Sequence, residues 1–125
     1  MRAFFLLCMG FVLAGQAGLA FQPAGWLPVL GLWLAIAFFG AGGTAGYIAV
    51  GQLFPPELTG RVSTACNTLT LGGAFLLQSA IGWILDLWPR TAAGGWDPAG
   101  YSWALVLSIA IQLAATANLI GWFRR

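Results

Sequence analysis

The feature that most restricts the fold of this chain is a long run, residues 27–54, that contains no charged side chain. At a rise of about 1.5 Å per residue, a helix of this length exceeds the roughly 30 Å hydrocarbon core of a bilayer. Three further apolar runs, at residues 3–21, 62–88 and 101–123, have lengths near that needed to cross a membrane. The runs are continuous and do not alternate, so they do not fit the strands of a lipid-facing barrel. We therefore predict an all-α membrane protein with four transmembrane helices.

Composition indicates that lipid is the main solvent of the chain. Of its 125 residues, 60% are hydrophobic and 6% are charged, whereas a soluble domain carries about 25% charged residues. Lys and His are absent, which removes the commonest metal ligand and general base. Because no group of nucleophile, base and metal ligands exists, we expect no enzyme activity, cofactor or metal site. The chain has no dense patch of basic residues, so we expect no binding of nucleic acid. Because of its apolar composition, the expected partner is the lipid bilayer.

The first apolar run admits two interpretations. Arg2, followed by a hydrophobic stretch and the small residues around Gly18 and Ala20, is typical of a secretory signal that is cleaved. The charged start is minimal, however, and three more apolar runs follow it. We favour a retained transmembrane helix over residues 3–21.

Two polar connections are well marked in the sequence. A hairpin at residues 55–61 begins with Pro55 and Pro56, which lack backbone N–H donors and should end the preceding helix. A longer loop at residues 89–100 is bracketed by aromatic residues of the kind found at membrane surfaces. We treat residues 1–125 as a single transmembrane region.

Arginine placement predicts the orientation of the chain. With four spans both termini lie on one side, together with the 55–61 hairpin, and four arginines share that side: Arg2, Arg61, Arg124 and Arg125. Only Arg90 lies on the other side. The positive-inside rule then places the termini and the hairpin in the cytoplasm and the 89–100 loop outside a cell (inner or plasma) membrane.

Small residues inside the spans indicate close helix contacts. Gly42 and Gly46 are four residues apart and therefore share one helix face, and Gly72 and Gly73 form a pair in the third run. Small residues at such spacings allow neighbouring membrane helices to approach closely. We predict that the second and third spans pack together through these four glycines.

Polar residues inside the spans have two possible roles. Four amide side chains fall within the runs: Asn67, Gln78, Gln112 and Asn118. They could contact a substrate in a cavity, although interhelical hydrogen bonding is the more frequent role of such residues. Asp86 closely precedes Trp88 and Pro89, so we expect it at an outer helix end near Arg90 and not at the membrane midplane.

The middle of the chain resembles the last four helices of a major facilitator superfamily transporter. The resemblance rests on residues 46–61, GYIAVGQLFPPELTGR, followed by Asn67, Gly72-Gly73 and residues 81–86, IGWILD. In that family the loop before the eleventh helix often reads Phe-Pro, an acid and then Gly-Arg, and the positions that match here are Phe54-Pro55, Glu57 and Gly60-Arg61. The eleventh helix often carries a Gly pair and ends in a Gly-x-x-x-Asp signature, matched by Gly82 and Asp86. The match covers roughly residues 30–90, and the flanking spans match only in hydropathy.

The resemblance implies a secondary transporter in which two six-helix halves rock about a midplane site. This chain departs from the family in having four spans instead of about twelve, and in lacking the diagnostic loop between the second and third helices. The resemblance therefore implies a carboxyl-terminal fragment whose partners are the missing N-terminal helices, and we expect no transport by this chain alone. It leaves the small-molecule substrate and coupling ion open.

Other roles remain open at this stage. Glu57 and Arg61 either form a gating pair or belong to a solvated loop with a positive-inside anchor, and we favour the second. A complete four-helix multidrug exporter would need a carboxylate in its first span, and residues 3–21 contain none. A structural or assembly subunit without transport of its own is the third possibility.

The predicted orientation can be tested by thiol labelling. In a chain whose Cys8 and Cys66 are replaced by Ala, we expect Thr91→Cys to react with a membrane-impermeant maleimide added to intact cells. Glu57→Cys should react only after permeabilisation, because the hairpin should face the cytoplasm. Labelling of Glu57→Cys from outside, at the level of Thr91→Cys, would show that the orientation is wrong.

Overall fold

The protein forms four antiparallel apolar helical spans joined by short connections. The computed structural model describes the backbone of residues 2–123 and the side chains of residues 3–43 and 46–121. Its helices are α1 (Arg2–Ala20), α2 (Trp26–Gly40), α3 (Thr44–Gly51), α4 (Thr59–Leu85) and α5 (Pro98–Phe123). Two 3-10 turns, Ala41–Gly43 and Pro56–Leu58, lie between α2 and α3 and directly before α4. The prediction of an all-α chain is confirmed for the described residues, which contain no strand.

Four stretches are long and apolar enough to cross a membrane. We name them span 1 (Ala3–Ala20), span 2 (Trp26–Gly51), span 3 (Pro56–Leu85) and span 4 (Pro98–Gly121). Span 2 comprises α2 and α3 with the 3-10 turn between them. The described chain thus has four helical stretches of membrane-spanning length, the number that the sequence predicts.

The hairpin between spans 2 and 3 is shorter than predicted. Regular helix ends at Gly51, and the next helical turn already begins at Pro56. Proline is tolerated in a first helical turn because its missing N–H would have no intrahelical partner there. The helix α4 therefore starts at Thr59 and includes Arg61, which the sequence had placed in the hairpin.

Span 4 begins earlier than predicted for a similar local reason. The side-chain Oδ1 of Asp97 accepts a hydrogen bond of 2.8 Å from the backbone N–H of Ala99. Asp is a favoured N-cap residue, and the Pro98 that follows it suits the first position of a helix. The predicted loop at residues 89–100 thus contributes its last residues to α5.

Span 1 is the centre of the bundle. It packs against α2 on one side and α5 on another, while α4 packs against α5 and against α3. Spans 2 and 3 therefore meet mainly through α3, the part of span 2 nearest the hairpin. Towards the other end of the bundle, which carries the loops 21–25 and 86–97, spans 2 and 3 diverge. We call this the loop end, and the opposite one the hairpin end.

Glycines of spans 1 and 2 create the closest helix contact. A Cβ atom added to Gly15 would lie 2.7 Å from Ile36 Cγ1, and one added to Gly42 would lie 2.8 Å from Cys8 Sγ. At Gly46 the nearest atom would be in the Phe5 ring, 3.7 Å away. Glycine therefore lets the two backbones approach closer than any larger residue would allow.

The predicted glycine contact between spans 2 and 3 is wrong. Gly42 and Gly46 face span 1, and a Cβ atom added to Gly72 or Gly73 would meet nothing within 4 Å. A stretch of glycines permits a close approach but does not select the partner helix, which is decided by how each helix is rotated. The glycine pair of span 3 lies open at the surface of the described chain.

Very little of the described chain is buried. The buried hydrophobic residues are Cys8, Leu19, Leu85 and Ala104, whereas large side chains such as Phe38 and Leu69 are 77% and 76% exposed. In water this much exposed apolar surface would drive association. In lipid it is the expected outer surface of a membrane protein, which agrees with a multi-pass membrane protein.

The close contact at Gly15 of span 1 predicts that a larger residue there lowers the stability of the bundle. We expect Gly15→Ala to destabilise the bundle by about 1–3 kcal/mol, because the new methyl group overlaps Ile36. Gly10→Ala on the same helix, where a Cβ meets nothing within 4 Å, should cause no loss. Thermal unfolding in detergent micelles measures both. Equal effects of the two substitutions would contradict the close contact.

Candidate functional site

The charged residues of the hairpin end are exposed and separate. Glu57 and Arg61 do not form an ion pair with each other. The one salt bridge among the described residues joins Arg90 to Asp86 at the loop end. Both side chains are exposed, and Gly60 between them has open space where a Cβ would stand. The Thr64 hydroxyl donates a hydrogen bond of 3.0 Å to the Gly60 carbonyl. Glu57 and Arg61 thus remain available to charged groups on another element.

A hydrogen bond joins α3 of span 2 to the middle of span 3. The Tyr47 hydroxyl donates to Thr70 Oγ1 at 2.7 Å, and the Thr70 hydroxyl donates in turn to the Cys66 carbonyl at 2.9 Å. Beside it lies an open recess of about 410 Å³ lined by Tyr47, Ile48, Gly51, Gln52, Thr59 and Ser63. The Tyr47–Thr70 contact was not foreseen, because it depends on the rotation of both helices.

The four predicted amide residues fall into two groups. Gln112 Nε2 donates a hydrogen bond of 3.1 Å to the Met9 carbonyl and so joins α5 to span 1. The Thr116 hydroxyl, one turn further along, donates to the Gln112 carbonyl at 2.7 Å. The other three, Asn67, Gln78 and Asn118, are exposed. No hydrogen bond from these three side chains is present within the described part of the chain.

Span 3 carries two of these exposed amides on one side. Asn67 and Gln78 are about three helical turns apart, which brings their side chains to nearly the same side of α4. Gly72 and Gly73, which lie between them in the sequence, point to other sides of α4 and have open space around them. Gln16 of span 1 is a further amide without a full set of partners, because its Oε1 is shielded from solvent and has no hydrogen-bond partner among the described residues.

A cluster at the loop end holds Asp86 in place. Asp86 Oδ1 lies 3.8 Å from Arg90 Nη2 and accepts a hydrogen bond of 3.3 Å from Trp96 Nε1. The Arg90 guanidinium also lies 3.9 Å from the centre of the Trp96 ring. The predicted proximity of Asp86 to Arg90 is confirmed. Both side chains are more than half exposed, so their pairing contributes no more than about 1 kcal/mol.

A tight turn supports this cluster. The backbone N–H of Thr91 donates to the Gly95 carbonyl at 2.8 Å, and the N–H of Gly94 donates to the Thr91 carbonyl at 2.9 Å. Gly94 adopts a φ of 81°, a left-handed conformation that glycine accepts without steric cost. The turn brings Trp96 back over Arg90, so the loop has a defined structure.

Comparison with known proteins identifies no relative. No family model, no curated protein and no solved structure matches the chain. Within the described residues, no group of three or more His, Cys, Asp or Glu side chains is placed to hold a metal ion. The features of the described chain that bear on function are the exposed amides of span 3 and the exposed charges of the hairpin, Glu57 and Arg61.

The Tyr47–Thr70 contact can be measured by a double-mutant cycle. We expect Tyr47→Phe and Thr70→Val to couple by about 0.6 kcal/mol, the average for interhelical hydrogen bonds in membranes. The measurement is the free energy of unfolding in detergent for both single variants and the double variant. Strictly additive effects would show that the hydrogen bond does not join the two spans.

Proposed function

We propose that this chain is the carboxyl-terminal part of a secondary active transporter of the major facilitator type. In this proposal it contributes helices of one half of a larger bundle that moves a small solute across a cell membrane by alternating access. The observation that supports the proposal best is the exposed polar side of span 3. By itself the chain would not transport.

The composition of α4 requires something other than lipid on one side. Its exposed apolar residues, such as Leu69 and Phe75, are compatible with hydrocarbon. Asn67 and Gln78 are not, because an amide with no hydrogen-bond partner costs free energy in an apolar medium. Polar residues in transmembrane segments almost always face protein or a water-filled cavity. We infer that further helices cover this side of span 3.

The hairpin supports the same interpretation. Glu57 and Arg61 belong to the segment that resembles the transporter family, and neither has a charged partner within the described chain. In a transporter with two moving halves, such residues pair with groups on the other half in one conformation and lose them in the other. This role in gating does not require an ion pair between Glu57 and Arg61.

A complete small membrane protein that serves as a structural or assembly subunit is the second candidate. The exposed amides favour it equally, because a partner protein could cover them as well as missing helices of the same protein. A small multidrug exporter has less support, because it would need a carboxylate in its first span. The described part of span 1 contains none, and its strongly polar residue is Gln16. The two leading candidates differ in the length of the natural polypeptide.

A chromosomal epitope tag placed after Arg125 separates these candidates. If the proposal holds, the tag appears on a membrane polypeptide several times larger than 13.2 kDa, and the DNA upstream of Met1 encodes about eight more spans in frame. A tagged band at 13.2 kDa in native membranes would instead support a small subunit.

A photo-crosslinking residue at position 67 provides a second test in the same cells. We expect it to form protein adducts, whereas the same residue at position 76 serves as the control, because Leu76 is apolar and 69% exposed on another side of α4. Lipid adducts at both positions would contradict a protein-covered face.

A further inference from the structure

We propose that a cleft at the loop end binds one acyl chain of a membrane lipid. The cleft has a volume of about 450 Å³, and its walls are almost entirely apolar. It is formed by all four spans and by the turn after span 1, and its lining includes Gln22, Val29, Trp33, Ile81, Tyr101 and Leu105. This inference requires only that the chain lies in a membrane and does not depend on the proposed transporter.

The cleft follows from the way span 2 is divided. The part of span 2 nearest the hairpin end, α3, packs against α4, whereas α2 packs against span 1. The α2 and α4 helices therefore separate towards the loop end, and the gap between them is walled by Trp33 on one side and Ile81 on the other. The back of the gap is formed by Ala104 of α5, which is only 4% exposed.

The mouth of the cleft is polar and held in one arrangement. Gln22 Nε2 donates a hydrogen bond of 2.8 Å to Ser102 Oγ, which donates at 2.9 Å to the Ala20 carbonyl. Gln22 has a φ of 53°, a left-handed conformation that residues other than glycine rarely adopt. The Tyr101 hydroxyl makes no hydrogen bond within the described chain, so it can donate one to an oxygen of a lipid ester or phosphate. The Gln22 Oε1 also has no partner there, and as an acceptor it suits a hydroxyl or ammonium group of a lipid headgroup.

The aromatic residues nearby show the depth of the mouth. Trp26 at the start of α2 and Trp103 near the start of α5 are 74% and 57% exposed, and both helix starts belong to the loop end, as the mouth does. Exposed Trp is enriched where membrane proteins meet the headgroup region. The polar mouth thus lies at headgroup level, and the apolar part of the cleft extends from it into the hydrocarbon region.

A lipid fits this arrangement better than other occupants do. Its polar group meets the Gln22–Tyr101 mouth, and its chain meets apolar walls that offer a charged solute no counter-charge. The cleft volume falls within the range of about 300–1,000 Å³ that is typical of small-ligand sites. The exposed Trp33 shows that the cleft is open at the outer surface of the bundle, where bilayer lipids are always present.

Native mass spectrometry of the complete chain in detergent tests the proposal. We expect the purified protein to retain about one phospholipid per chain through repeated detergent washing. Val29→Trp should fill the cleft and lower retention about tenfold or more, since the acyl chain could no longer bury its methylene groups there. The matched control is Leu30→Trp, because Leu30 is the next residue on the same helix, is exposed and does not line the cleft. Equal retention by both variants would overturn the proposal.

A labelling experiment on the unmodified chain keeps the proposal testable if Val29→Trp fails to fold. A phospholipid with a diazirine in its acyl chain is photoactivated in vesicles that contain the protein. We expect adducts to concentrate on Trp33, Ile81 and Leu105 relative to Leu69 and Phe75, which are exposed outside the cleft. Uniform labelling of all five positions would overturn the proposal. The proposal would also be overturned if a photo-crosslinking residue at position 33 formed adducts with another polypeptide in native membranes, because a protein would then cover the cleft.

Discussion

The absence of water from the bilayer interior is the constraint on which this structure depends. A backbone N–H or C=O group in hydrocarbon must find its partner within the protein, and a helix supplies nearly all of these partners locally. This explains why the described chain is helical wherever it is strongly apolar. It also explains why the described charged residues and most prolines lie in the connections or at helix ends, where water or headgroups can bind the remaining backbone groups. Within span 2 the α-helix is interrupted by the 3-10 turn Ala41–Gly43. The backbone hydrogen bonds of this turn are also local, so few backbone groups lose their partners there.

With hydrogen bonds satisfied locally, shape decides which helices meet. Lipid chains are as apolar as leucine, so no hydrophobic driving force brings the spans together, and close packing must do so. Span 1 gains its central position because Gly15 admits Ile36 and Gly42 of the neighbouring span admits Cys8. Stacking of the Phe11 and Phe39 rings, with centres 4.1 Å apart, extends the same contact. In the middle of span 3 the contact to span 2 is the Tyr47–Thr70 hydrogen bond, whereas Gly72 and Gly73 meet no neighbouring helix and lie on the outside together with Asn67 and Gln78.

Several features were predictable from the sequence because they depend on neighbours along the chain. The number of spans follows from the length of each apolar run, the end of span 2 from Pro55, and the contact between Asp86 and Arg90 from their spacing at a helix end. The early start of α5 was missed, although the Asp97-Pro98 pair is a local signal for it.

Contacts between helices were not predictable in the same way. The glycines of spans 2 and 3 were assigned to each other because both have small residues, yet Gly42 packs against Cys8. The Tyr47–Thr70 bond and the cleft lined by Trp33 likewise depend on helix rotation and tilt. A single sequence contains no direct record of those angles.

The short break at Ala41–Gly43 gives span 2 two separate attachments. The α2 segment packs against span 1, whereas α3 packs against α4 and also keeps Gly46 close to Phe5 of span 1. The angle between the two segments therefore sets how far α2 lies from α4 at the loop end, where Trp33 and Ile81 face each other across the cleft. The width of the cleft in this way follows from the geometry of three residues near the middle of span 2.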